Sequence, residues 1–189
     1  MKINPETFPR VTRILEEAGF TDFSRVPPAV LSAAQDFGTN VHLAAELWDE
    51  GDLDIESLSP ALLPYLDAWR LFLNDYEVHI IDIEKKVFSR IWQYQGRLDR
   101  IAEVKGVITL IDIKSATAIS PATAIQTAGY KIAVESMERI KIKQRMCVQL
   151  CDDGRYKVEV FKDKNDITVF KSAVITYHWK AKHKLLKGE

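Results

Sequence analysis

The sequence predicts an α+β fold, α/β/α-like, with a central mixed β-sheet flanked by helices. Three observations carry this. Residues 97–104 and 107–113 are apolar-rich runs on either side of Lys105-Gly106, which is the spacing of a β-hairpin. A second pair of runs, 144–150 and 155–161, flanks Asp152-Asp153-Gly154 in the same way. Between the two hairpins, Ser120-Pro121 has the form of a helix start, an N-cap serine with proline at the first helical position.

Taken in order, residues 7–18 place Val11, Ile14, Leu15 and Ala18 at helical spacing, with Gly19 as a stop. Asp22 to Pro28 reads as a loop, and Pro27-Pro28 opens a second helical stretch that Gly38-Thr39 interrupts. Val41, Ala44, Ala45 and Trp48 form the next apolar stripe, with His42 beside it and Glu46 four residues on. Ser59-Pro60 looks like another helix start, whose stripe is Leu62, Leu66, Trp69 and Leu73. Pro64 moves the expected start one turn later. Strand signals run from Val78 to Ile83 and on through Val87 to Tyr94, with Glu84 falling between strands. The helix opened by Ser120-Pro121 turns Ile125, Gly129, Ile132 and Ala133 toward the sheet. Gln126 and Tyr130, four apart, share a neighbouring face. A Lys/His-rich helix closes the chain, with Trp179, Lys180, Lys182, His183 and Lys184.

At 189 residues, 47% hydrophobic and 28% charged, the chain is expected to form one globular domain over residues 1–189. No apolar run approaches a membrane span, and no signal peptide is evident, so a cytoplasmic protein is expected. Cys147 and Cys151 form neither a disulfide framework nor a CxxC pair, and two thiols are too few for an iron–sulfur cluster. Charge is uneven. Residues 1–80 hold 5 Lys/Arg against 14 Asp/Glu, and residues 81–189 hold 21 against 13. Such a split is compatible with a basic face for a polyanion, or with an ordinary solvated surface.

The stretch that carries chemistry is the first hairpin. Asp99 lies on its first strand, and Asp112 and Lys114 near the end of the second. Residues two apart on a strand share a face, so Asp112 and Lys114 point together while Ile111 and Ile113 enter the core. Two carboxylates and an ammonium on an apolar hairpin are costly unless they meet a metal or one another. Such oxygen ligands suit Mg2+ or Mn2+, and a lysine beside the metal can hold a water. The alternative is a strand end running into solvent with weakly paired charges. His42 and Glu84, taken alone, are compatible with a packed helical histidine and a turn carboxylate.

In order along the chain stand Gly38-x-x-Val41-His42, Gly96-x-x-Asp99, Asp112-x-Lys114 and Gln126-x-x-x-Tyr130. This arrangement, over roughly residues 38–130, resembles the PD-(D/E)XK nuclease superfamily. Within it, the RecB-type branch is similar, with its phage recombination exonucleases and the mitochondrial genome maintenance exonuclease. Val11-Thr12-x-Ile14-Leu15 and Phe37-Gly38-Thr39 also look like phage members. The resemblance implies a restriction-endonuclease-like core and a metal-dependent exonuclease acting on linear DNA with free ends, in phage or bacterial recombination and repair. It implies that Asp99 and Asp112 bind Mg2+ or Mn2+, that His42 is a further ligand, and that Lys114 positions the attacking water. Glu84 matches an acidic ligand position less closely. Gln126 and Tyr130 would flank the site and contact DNA. Leu98 stands where proline often precedes the first aspartate, Asp112 where glutamate is more frequent, and the cysteine cluster of several relatives is missing. A single-strand annealing protein or another recombination protein is a compatible partner, and so is a second copy of the chain. Two competing readings stay open: a catalytically inactive DNA-end-binding module, and a structure-specific endonuclease.

Overall fold

The computed structural model describes residues 4–187. Five helices and five strands follow one another as α1 (Val11–Glu17), α2 (Pro28–Glu50), α3 (Leu63–Asp75), β1 (Val78–Ser89), β2 (Tyr94–Val104), β3 (Val107–Lys114), α4 (Ala122–Met137), β4 (Gln144–Leu150), β5 (Tyr156–Val160) and α5 (Asn165–Lys182). The strands lie in one sheet in the order β1-β2-β3-β4-β5. Strands β1, β2 and β3 pair antiparallel, β4 runs parallel to β3 through the α4 crossover, and β5 returns antiparallel. The sheet is therefore mixed, as expected.

Lys105 and Gly106 both take positive φ, 48° and 79°, the backbone a two-residue hairpin needs to match strand twist. Alternation along the strands then builds two cores. Leu98, Ile101, Leu110 and Tyr94 pack with α1, α4 and α5 residues such as Ile14, Ala133 and Phe170. Ala102, Ile111, Ile113 and Val148 pack with Val41 and Ala45 of α2 and with Trp69 and Phe72 of α3. Helices thus cover both faces. Among the described residues, no helix is long and apolar enough to cross a membrane.

Three expectations need correction. Helix α2 runs unbroken from Pro28 to Glu50, so Gly38-Thr39 does not interrupt it. An interior glycine costs about 1 kcal/mol relative to alanine, and burial of Val41, Ala44 and Ala45 outweighs it. Helix α1 is only Val11–Glu17, preceded by a separate 3-10 turn at Pro5–Thr7. Helix α3 starts at Leu63, the later start expected from Pro64, which lies in its first turn where no intrahelical N–H bond is lost. Glu84 lies inside β1 rather than between strands. Gly129 lies tight against α5: a Cβ there would lie 2.6 Å from the Phe170 ring.

Candidate active site

The site forms where β2 and β3 part. Their ladder pairs Arg100 with Ile111 at its open end. Just past that point, Oδ2 of Asp99 accepts the Ile113 backbone N–H at 2.6 Å, so a side chain takes over the bond the ladder would have made. Asp112 and Lys114 lie on the face opposite Ile111 and Ile113, and Lys114 Nζ is 2.9 Å from Asp112 Oδ2. Asp112 is 1% exposed, and its Oδ1 is buried with no partner among the described residues. An orphaned carboxylate oxygen costs more than a made hydrogen bond returns, so this position favours a cation.

Helix α2 and strand β1 bring two more groups. His42 Nδ1 lies 3.8 Å from Glu84 Oε1 and 3.7 Å from Asp99 Oδ1. One ligand atom from each of His42, Glu84 and Asp99 lies within 4.8 Å of the others, so together they could hold one ion. Asp112 is not in this trio and stands with Lys114. Glu84 reaches the trio through an unusual backbone: its φ is +45° in mid-strand, a conformation that costs of order 1–3 kcal/mol for a residue with a Cβ. Two arginines also meet it, Arg97 Nε at 2.8 Å from Oε2 and Arg100 Nη1 at 3.3 Å from Oε1. A cation entering the trio competes with the exposed Arg97, whereas the buried Arg100 is anchored by Asp49 as well.

The electrostatics agree with a shared charge site. Burial pushes the Asp99 carboxyl up to about 6, and Asp112 adds to the rise against the pull of His42 and Lys114. For His42 burial works downward, yet Asp99 and Glu84 overcome it and the imidazole is raised. Burial would raise Glu84, but the neighbouring His42 and the nearby arginines leave it lowered. Burial opposes the Lys114 charge, but Asp112 and Asp99 outweigh it, so Lys114 is raised and stays an ammonium. That fits a group that orients a water, not one that takes its proton.

Tyr130 closes the site from α4. A Cβ at position 96 would lie 2.5 Å from its ring, so the glycine of Gly96-x-x-Asp99 is what lets the ring approach β2. The Tyr130 hydroxyl accepts a bond from Gln126 Nε2 at 3.1 Å. Burial raises its pKa, and it remains a donor. Cys147, opposite Asp112 on β4, places its buried thiol 3.9 Å from Asp112 Oδ2. Cys151 is half-buried and apart.

Three polar residues that the sequence reading passed over belong to this region. Arg100 is fully buried and bonds Asp49 of α2. Gln149 pairs in register with Lys114, is buried, and donates to the Ala116 carbonyl at 2.6 Å. Asp49 sits seven residues, about two turns, after His42. That spacing was the available signal, since it puts both on one face of the helix. Beyond Lys114, a cleft of about 430 Å³ opens between Tyr65, Ser115, Gln149 and Tyr156.

The donors are hard oxygens and one imidazole, a set that suits Mg2+ or Mn2+ better than a soft metal. The sequence matches no protein-family model and no curated protein. Solved structures do match. A candidate exonuclease from Eubacterium rectale superposes with a TM-score of 0.59 at 10% identity, covering 99% of this chain and 89% of that one. An alkaline exonuclease from Laribacter hongkongensis, LHK-Exo, gives 0.53 at 11% identity over 93% and 88%. Its complex with dAMP gives 0.52 at 13% over 94% and 89%. The chain therefore shares its fold with these solved exonuclease structures.

Proposed function

We propose that the protein is a Mg2+- or Mn2+-dependent deoxyribonuclease that hydrolyses phosphodiester bonds from the ends of linear DNA. One observation carries the reading: His42, Glu84 and Asp99 converge from three elements beside a buried Asp112–Lys114 pair whose Asp112 Oδ1 lacks a partner. The exonucleases that share the fold support it, as does the solution of LHK-Exo with a nucleotide, dAMP.

His42, Glu84 and Asp99 would hold the cation, with the unpartnered Asp112 Oδ1 as a further ligand. When bound, a divalent cation neutralises charge growing on the phosphate and makes water easier to deprotonate. The chain's own groups do the rest. The Lys114 ammonium, fixed by Asp112, donates to the attacking water and holds it in line with the phosphorus. Tyr130, protonated and backed by Gln126, donates to a phosphate oxygen. The Tyr65–Tyr156 cleft beyond Lys114 takes nucleotides on one side of the scissile bond, with aromatic surface for bases. Recombination or repair is the setting such an activity serves.

The test is incubation of end-labelled linear DNA and of closed circular DNA with Mg2+ or Mn2+, wild type beside Asp112→Ala. Release of nucleotides from linear DNA only, abolished in the variant, is the expected outcome. Equal cleavage of circles would make the enzyme an endonuclease, and cleavage by Asp112→Ala at the wild-type rate would discard the site.

A further inference from the structure

We propose that Arg100 is a positioning residue: its buried guanidinium locks α2, β1 and β2 together so that His42, Glu84 and Asp99 keep the spacing needed to bind a divalent cation. The inference rests on the metal-dependent reading above and deepens it.

Arg100 follows Asp99 directly on β2, with its side chain turned to the α2 side of the sheet. It is fully buried, which is costly for a group that cannot lose its charge. Bonds from Nε and Nη1 offset part of that cost, while Nη2 is buried with no partner among the described residues. Nε donates to Asp49 Oδ2 at 2.6 Å. Nη1 donates to the Asp99 backbone carbonyl at 2.7 Å and to Glu84 Oε1 at 3.3 Å. Asp49 is itself held, through Oδ1, by the Trp69 indole N–H at 2.9 Å. Trp69 is fully buried in the α2–α3 core and lies under the guanidinium, with its ring centre 5.8 Å away.

One planar fork thus touches each element that supplies a member of the trio. It holds α2 through Asp49, two turns from His42. It holds β1 through Glu84, the residue with strained backbone. It holds β2 through the carbonyl of Asp99 itself. A lysine has no fork and cannot reach Asp49 and the Asp99 carbonyl together from one stem. A purely packing role would be filled better by an apolar side chain of similar volume. Partners one step behind metal ligands typically change affinity by roughly 10- to 100-fold when altered.

The experiment titrates full-length protein with Mn2+ and follows free Mn2+ by electron paramagnetic resonance, with thermal unfolding measured in parallel. Asp49→Asn keeps the side chain's size but leaves one acceptor oxygen for two donors, Trp69 and Arg100, and removes the charge that anchors the fork. Arg100→Lys keeps charge but not shape, and Arg100→Met keeps bulk alone. The expected result is Mn2+ affinity weakened roughly 10-fold in Asp49→Asn and at least as much in both Arg100 variants. DNA cleavage should then fall in kcat at fixed Mn2+ while KM for DNA stays within about twofold. Asp166→Asn, which breaks the buried pair of Arg145 on β4 with Asp166 of α5, should lower the unfolding temperature and leave Mn2+ affinity alone. If the Arg100 variants do not fold, Asp49→Asn decides. Wild-type Mn2+ affinity in folded Asp49→Asn, or full recovery in Arg100→Lys, overturns the proposal. A wild-type protein that neither binds Mn2+ nor cuts DNA overturns the functional reading instead, and the positioning role with it.

Discussion

Two arginines lie buried against the same sheet, one on each face, and their partners separate a fold contact from a site contact. Arg145 on β4 reaches Asp166 Oδ2 at 2.6 Å, the Asp163 carbonyl at 3.2 Å and Thr127 Oγ1 at 3.4 Å. Every one of these lies in α4, in α5 or just before α5, so the guanidinium pins two helices to the sheet. Arg100 on β2 instead spends its bonds on Asp49, on Glu84 and on the Asp99 carbonyl. A buried guanidinium is therefore no marker of function. What it touches decides.

The largest effect that would sharpen the contrast comes from neither arginine. Asp112→Ala should lower DNA hydrolysis by at least about 100-fold, the scale of losing a group that acts on the transition state. Asp99→Ala and Lys114→Ala should match it, with circular dichroism unchanged in all three. Wild-type rates in any of them would place the chemistry elsewhere.

Next in size is the fold side of the comparison. Asp166→Ala strands Arg145 with one fewer carboxylate, and breaking a buried pair costs about 3–5 kcal/mol. Urea unfolding should show that loss, while Mn2+ affinity of the folded protein stays at the wild-type value. A loss of Mn2+ affinity as great as in Asp49→Asn would erase the distinction between the two arginines.

The site should also reveal itself through pH. Asp99 is raised to about 6 from 3.8, so the native state holds its proton more tightly than the unfolded chain, and metal-free stability falls as pH rises across that window. His42, also raised, contributes stability below its ordinary value of 6.5 that is lost as pH rises through its folded value. Glu84 is lowered from 4.5 and works in the opposite sense, only in more acid solution. A cation needs Asp99 and His42 deprotonated, so Mn2+ should raise the unfolding temperature by several degrees at pH 8 and by much less at pH 5. An equal Mn2+ shift at both pH values would show that the cation binds without these groups.

Smaller effects complete the series. His42→Ala should weaken metal binding roughly 10-fold, with Mn2+ restoring more activity than Mg2+ because it accepts nitrogen more readily. Tyr130→Phe removes one hydroxyl and should slow cleavage only several-fold. The salt dependence of DNA binding, measured with Ca2+ in place of Mg2+, should stay the same, because no phosphate charge contact is lost. A changed salt slope would move Tyr130 from the reacting phosphate to the wider DNA surface.

Some of this was legible in the residues alone. Period-two runs around Lys105-Gly106 and Asp152-Asp153-Gly154 gave both hairpins, because strand alternation and turn backbone are local properties. Asp112 and Lys114 share a face for the same reason. The glycine in Gly96-x-x-Asp99 was visible as part of a motif, but not its purpose, which is clearance for the Tyr130 ring. Arg100 was invisible as anything but one more charge, since its partner Asp49 lies 51 residues earlier.

By itself the sequence determined the mixed α+β sheet, the order of the motifs and the pairing of Asp112 with Lys114. Periodicity and turn chemistry act within a few residues, so they can be read in one dimension. The tertiary structure alone decided that α2 runs unbroken through Gly38, that Glu84 takes a positive φ within β1, and that His42, Glu84 and Asp99 converge. These depend on how a helix lies across a twisted sheet and which buried charges it meets there. That is a balance of burial, strain and desolvation among residues far apart in the chain.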